Sequence, residues 1–158
     1  MNDQKQFCTF QLDDMLFGID VLNVQEIILP QEMTEVPLAP SVISGLINLR
    51  GQVVTAINLG KWLGIESEDE ASQRSMNVVI CTDDEVVSFL VDSIGDVVEP
   101  NESSFEPPPQ TLEDGIQQLI NGVYKLDSQL LLVMDVARTV ELFTETFNGR
   151  SGLVPVIE

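Results

Sequence analysis

The chain has 158 residues, 44% of them hydrophobic, and sets 7 Lys or Arg against 26 Asp or Glu for a formal net charge of −19. That length and apolar share suit one globular domain, or two small intimate ones, and rule out a disordered chain. The acidity excludes a binder of nucleic acid or of anionic membranes, because Lys5, Arg50, Lys61, Arg74, Lys125, Arg138 and Arg150 are scattered and a phosphate-rich surface would repel the rest.

The segment Met1 to Gln6 lacks the basic and apolar regions of a signal peptide. The longest aliphatic run, Leu130 to Met134, is far short of the roughly 20 residues of a membrane span. A cytoplasmic protein with no direct membrane insertion is expected. Phe7 to Leu12 alternates Cys8, Phe10 and Leu12 with Thr9 and Gln11, turns at Asp13-Asp14, and returns through Met15 to Ile19, ending at Asp20. This predicts a half-buried β-hairpin. After Asp20, Val21 and Val24 stand three apart, as on a short helix. Leu29 to Pro40, with Pro30, Pro37 and Pro40, reads as an extended connector.

The hairpin pattern recurs at Leu46 to Leu49 with Val53 to Ile57 around the turn Arg50-Gly51-Gln52, ending at Asn58. It recurs again at Val78 to Thr82 with Val86 to Val91 around Asp83-Asp84, ending at Asp92, and at Gly122 to Leu126 with Leu130 to Met134, ending at Asp135. Each strand pair closes on a short side chain with a hydrogen-bonding oxygen, suited to cap one or two helical turns. Such turns are predicted after Asn58 (Leu59, Leu63, stopped by Gly64) and after Asp135 (Val136, Val140). The acidic run Glu66-Ser67-Glu68-Asp69-Glu70 lacks the ligand spacing and central Gly of a calcium loop and reads as a solvated connector. Beyond Pro107-Pro108-Pro109, Thr111 and Asp114 have capping spacing for a short helix. Residues 143–158 are expected to be a flexible tail.

Four hairpins in two pairs point to an all-β fold built from two similar half-domains, with a few short helices. Cys8 and Cys81 lie in β-like stretches and are expected to be buried as small hydrophobes. The chemistry available is narrow. No histidine is present, which removes Ser-His and Cys-His nucleophile pairs, imidazole metal sites and the commonest general base. No phosphate loop, dinucleotide fingerprint or hydrolase elbow occurs, so neither a cofactor nor a metal is expected.

Four segments in order, Phe17-Gly18-Ile19-Asp20, Val24-Gln25-Glu26-Ile27, Gly45-Leu46-Ile47-Asn48-Leu49-Arg50-Gly51 and Val91-Asp92-Ser93-Ile94-Gly95-Asp96-Val97, resemble the CheW family of bacterial chemotaxis adaptors. The similarity runs over residues 7–142. It implies two small five-stranded SH3-like barrels packed together around a shared hydrophobic seam, interleaved in the chain. It implies a non-enzymatic adaptor that couples the cytoplasmic tip of a methyl-accepting chemoreceptor to the regulatory domain of the histidine kinase CheA, itself CheW-like, and that is recruited to membrane-associated receptor arrays, where other CheW-like domains are further partners.

The positions matching the family's receptor contacts are Val24, Glu26 and Arg50, with Val97 near the same surface. A receptor tip is a helical hairpin, so an apolar groove flanked by a few charges is the recognition surface to expect. Val24 would supply apolar area, and Glu26 and Arg50 opposite charges. The bland alternatives are core packing for Val24, a solvated charge for Glu26, and for Arg50 an internal ion pair that orders its loop. Gly51 is expected to serve a turn that needs positive φ. Two departures from common family residues, Thr55 for Pro and Asn58 for Asp, leave the groove untouched, since Asn caps helices as well as Asp does.

Two binding alternatives are an adaptor of a pilus or other chemosensory system and a piece related to the larger CheV proteins. A reading of another class is a carboxylate-based hydrolase using two of Asp20, Asp92, Asp96 and Asp135. Their recurrence at strand ends favours capping instead.

Overall fold

Apolar residues alternate through β1 (Phe7–Leu12), and the Asp13-Asp14 turn leads into β2 (Met15–Asp20), paired antiparallel with Phe10 opposite Phe17 and Leu12 opposite Met15. The same pattern yields three more hairpins: β4 (Ile43–Leu49) with β5 (Gln52–Asn58), β6 (Met76–Cys81) with β7 (Val86–Val91), and β10 (Ile120–Lys125) with β11 (Leu130–Met134). The structure, a computed structural model, describes residues 5–65, 76–82 and 85–148. The acidic connector at Glu66 to Glu70 and the Asp83-Asp84 turn lie outside the described residues.

Three further strands, β3 (Val24–Ile28), β8 (Ser93–Val98) and β9 (Phe105–Glu106), complete two mixed sheets of order β8-β1-β2-β11-β10-β9 and β3-β6-β7-β5-β4. Each sheet sets two hairpins side by side through a parallel contact, β2 with β11 and β5 with β7. Each also takes an edge strand from the other half. The chain leaves β2 and lays β3 against β6; it leaves β7 and lays β8 against β1. The result is the all-β architecture of two small SH3-like barrels. One has five strands; the other gains a sixth because Phe105–Glu106 pairs with β10 just before the prolines stop it.

The five-stranded sheet curls until its edges meet. Thr34, beyond β3, exchanges two backbone hydrogen bonds with Leu46 of β4, at 2.9 and 2.8 Å. Gly45 permits this approach. It has φ 152°, and a Cβ there would stand 2.8 Å from the Thr34 carbonyl oxygen.

One apolar core fills the space between the sheets. Phe10, Leu12, Phe17 and Ile19 contribute from one side, and Ile57, Val78, Ile80 and Phe89 from the other. The opposite face of the six-stranded sheet holds a smaller cluster that includes Phe7, Leu16, Tyr124 and Leu131. Burial on both faces explains why β11 reads as an unbroken aliphatic run. Buried polar side chains answer one another: Ser88 Oγ donates to Asn77 Oδ1 at 2.9 Å, and among the described residues none is left without a partner.

The helix caps follow the sequence at Asp20, Asn58 and Asp135 and depart from it elsewhere. Asn58 Oδ1 accepts from Lys61 N at 3.0 Å at the start of α1 (Leu59–Leu63), and Gly64 at φ 74° ends it. Short α2 (Asp114–Gln117) begins beyond Thr111, and the residue before it, Glu113, makes no side-chain cap bond, so the Thr111–Asp114 box does not form. Asp135 Oδ1 accepts from Arg138 N at 3.0 Å at the start of α3 (Val136–Asn148), which is longer than the one or two turns expected.

The reason for that length is a continuing apolar stripe. Val136, Val140 and Phe143 all enter the core, and Phe143 meets Trp62 edge-on at 5.6 Å. The expected tail boundary at residue 143 therefore falls inside α3; residues 149–158 lie outside the described residues. Val24 opens a strand rather than continuing a helix, because only Val21–Asn23 forms a 3-10 turn. No helix follows Asp92; its Oδ2 accepts from Asp13 N at 2.6 Å. Cys8 is half-buried, which pushes its thiol pKa up, and Cys81, at the end of β6, is exposed rather than buried.

Candidate partner-binding surface

Edge strand β3 owes its position to Asp20, whose Oδ1 accepts from Leu22 N at 3.0 Å and so turns the chain out of β2. A bulge between Val24 and Glu26 breaks the register against β6. Val24 is half-buried and packs on the core, while the Glu26 side chain keeps 23% of its exposure. Across the curl of the sheet, the β4–β5 turn presents Arg50. Arg50 at φ 52° and Gly51 at φ 89° form a two-residue loop of type I′ character, with Leu49 directly opposite Gln52. Asn48 Oδ1 steadies it by accepting from Gly51 N at 2.9 Å. A Cβ on Gly51 would touch nothing, so glycine is needed there for backbone conformation alone.

Arg50 Nη2 donates to Glu26 Oε2, an ion pair between residues at opposite edges of the sheet. The internal pair weighed for Arg50 thus exists, and its partner is the other charged residue of the expected site. The Arg50 guanidinium, foremost through this hydrogen bond, holds the Glu26 carboxyl below its usual range, with a smaller contribution from Gln25. The Arg50 side chain remains 73% exposed, so the pair adds little to stability and leaves the guanidinium accessible. A carboxyl-detected NMR titration should find Glu26 ionising below an ordinary glutamate, and Arg50→Ala should bring it back up. The depressed pKa means that the pair is intact above the ordinary glutamate range and is lost as pH falls through the lowered value.

Exposed apolar side chains lie on and around the same strand. Leu22 is 89% exposed and Leu29 68%, with Ile27 half-open between them on β3. Sequence reading missed these three because they follow no period. Val97 is 55% exposed on β8, opposite Cys8, in the other sheet. Its strand is drawn close by Thr9, whose Oγ1 donates to the Asp96 carbonyl at 2.6 Å over Gly95. The fold therefore joins Glu26 to Arg50 and sets Val24 on the same strand, while Val97 occupies the equivalent exchanged strand of the second sheet.

Asp20, Asp92 and Asp135 are each engaged with a backbone N–H. Among the described residues, no cluster of three or more potential ligands is placed to hold a metal, and no helix is long and apolar enough to cross a membrane.

Comparison with known proteins gives a consistent result. The profile of the CheW-like domain matches residues 6–143. The chain is 30% identical over 138 residues to chemotaxis protein CheW of Treponema pallidum, covering 85% of this chain and 81% of that protein. It is 32% identical over 136 residues to chemotaxis protein CheW of Thermotoga maritima, covering 86% and 87%. The crystal structure of scaffolding protein TtCheW from Thermoanaerobacter tengcongensis superposes with a TM-score of 0.75 at 28% identity, covering 86% of this chain and 87% of that one.

Proposed function

Because this chain belongs to the CheW-like domain family, a family of chemotaxis scaffolds rather than enzymes, we propose that it couples chemoreceptor tips to the regulatory domain of the kinase CheA in signalling arrays. The observation that carries this reading is the Glu26–Arg50 pair, half-open to solvent, on an edge strand where Ile27, and Leu22 and Leu29 at its two ends, are exposed. A helical hairpin needs apolar area with a few charges that set its register, and this edge offers both. Arg50 adds a planar fork able to meet a receptor carboxylate in a bidentate manner. Val24 supports the strand from beneath, Gly51 holds the turn, and Val97 extends the contact to the second barrel. Membership of an array then comes through the receptor, with avidity strengthening individually modest contacts.

The experiment is reconstitution of kinase activation from receptor tips, CheA and this protein, with binding to each partner measured separately. Arg50→Glu, which sets two carboxylates side by side, should weaken receptor binding about tenfold or more and leave kinase binding and the folded state in place. Equal loss toward both partners would assign Arg50 to loop ordering alone and overturn the reading.

A further inference from the structure

A cavity of about 730 Å³ opens beside the six-stranded sheet, between the end of β2, the β10–β11 hairpin and the first turn of α3. It lies within the size range of small-molecule sites, about 300–1,000 Å³. Aromatic rings form one wall: Tyr124 stands 4.9 Å from Phe105 and 5.7 Å from Phe7, centroid to centroid. Phe105 is held against the sheet by Gly122, where a Cβ would come within 2.3 Å of its ring, yet it remains 44% exposed.

Carboxylates form the other wall, from Asp20, Glu102 and Asp135. Asp20 and Asp135 each give Oδ1 to a cap. Among the described residues, their second carboxylate oxygens have no cap hydrogen bond. Asn58, at the matching place in the other half, caps α1 with a neutral amide oxygen, and Asp92, the counterpart of Asp20, is turned onto the Asp13 amide. Three carboxylates line this one cavity. Burial foremost, and Glu102 next, hold the Tyr124 phenol above its ordinary range, so the field of Glu102 reaches the ring. Against three carboxylates the lining sets Lys5 and the partial positive charge of the α3 N-terminus.

We propose that this cavity binds a small organic cation, an ammonium or guanidinium group on an apolar or aromatic stem, with the charge against Asp135 and Glu102 and the stem on Phe105 and Tyr124. Cation–aromatic attraction within about 6 Å of a ring centroid and the nearby carboxylates act in the same direction. The cavity shares Asp20 and Asn23 with the turn that leads into β3, but none of Val24, Glu26, Arg50 or Val97 lines it.

The test is a titration of the isotope-labelled full chain with 2-phenylethylamine, followed by amide shifts, beside the neutral control 2-phenylethanol. Saturable shifts at Asn23, Asn121 and Ala137, produced by the amine and not the alcohol, are the expected result. Asp135→Asn, which keeps a capping oxygen, and Glu102→Gln should each weaken binding about three- to tenfold. Failure to saturate by about 10 mM, equal binding of the alcohol, or unchanged affinity in Glu102→Gln would overturn the proposal. If Asp135→Asn fails to fold, Glu102→Gln carries the test alone.

Discussion

Phe89→Ala should destabilise the protein by about 3–5 kcal/mol, lowering the melting temperature by about 10 °C, and should do so in one transition. Phe89 is fully buried in β7 and belongs to the cluster that also holds Phe10 and Phe17 from the other sheet. Truncation leaves a cavity in the layer both sheets share, so the loss is felt by both. Calorimetry with a calorimetric-to-van't Hoff comparison measures it. Two resolved transitions, with only one displaced, would show that the barrels are stable separately and that the shared core is not what unites them.

Gly45→Ala should cost about 2–4 kcal/mol, combining backbone strain with a steric clash. At φ 152° the added methyl would stand 2.8 Å from the Thr34 carbonyl oxygen and 3.0 Å from Met33 Cβ. Relief requires moving the Thr34 segment off β4 and breaking both of its hydrogen bonds to Leu46. Hydrogen exchange should therefore quicken first at the Thr34 and Leu46 amides, before the sheet centre responds. Unchanged exchange there together with an unchanged melting temperature would mean that the seam is not closed by these contacts. Opening it would also draw the β4–β5 turn, and Arg50 with it, away from Glu26.

The hairpins are legible because an apolar run, its turn and its closing Asp or Asn all lie within about 15 residues, whether the run alternates as in Phe7–Leu12 or is unbroken as in Leu130–Met134. The motif Gly45 to Gly51 can now be read physically: its first glycine admits the Thr34 segment, and its last sits at φ 89° in a two-residue turn. What stayed hidden was non-local. Nothing within Val24–Ile28 or Ser93–Val98 records that each strand pairs in the other half, since that choice is made by β6 and β1 far along the chain. Phe105–Glu106 is too short to show a period and is masked by the prolines after it. The length of α3 is not legible from Val136 and Val140 alone, because Phe143, which extends their stripe, is followed by the Gly- and Ser-containing end of the chain. Glu26 and Arg50 are expected as opposite charges on one surface; that they pair with each other follows only from the meeting of the sheet's edges.

The handed-over strands leave no place where this molecule can be divided into working portions. A piece ending at Gly64 would carry β3 with no β6 to receive it, and a piece starting at Met76 would carry β8 with no β1. Neither half of the gene encodes a lobe. The two lobes are inherited, synthesised and degraded as one object, and a load applied to the outer strand of either is borne by the chain of both.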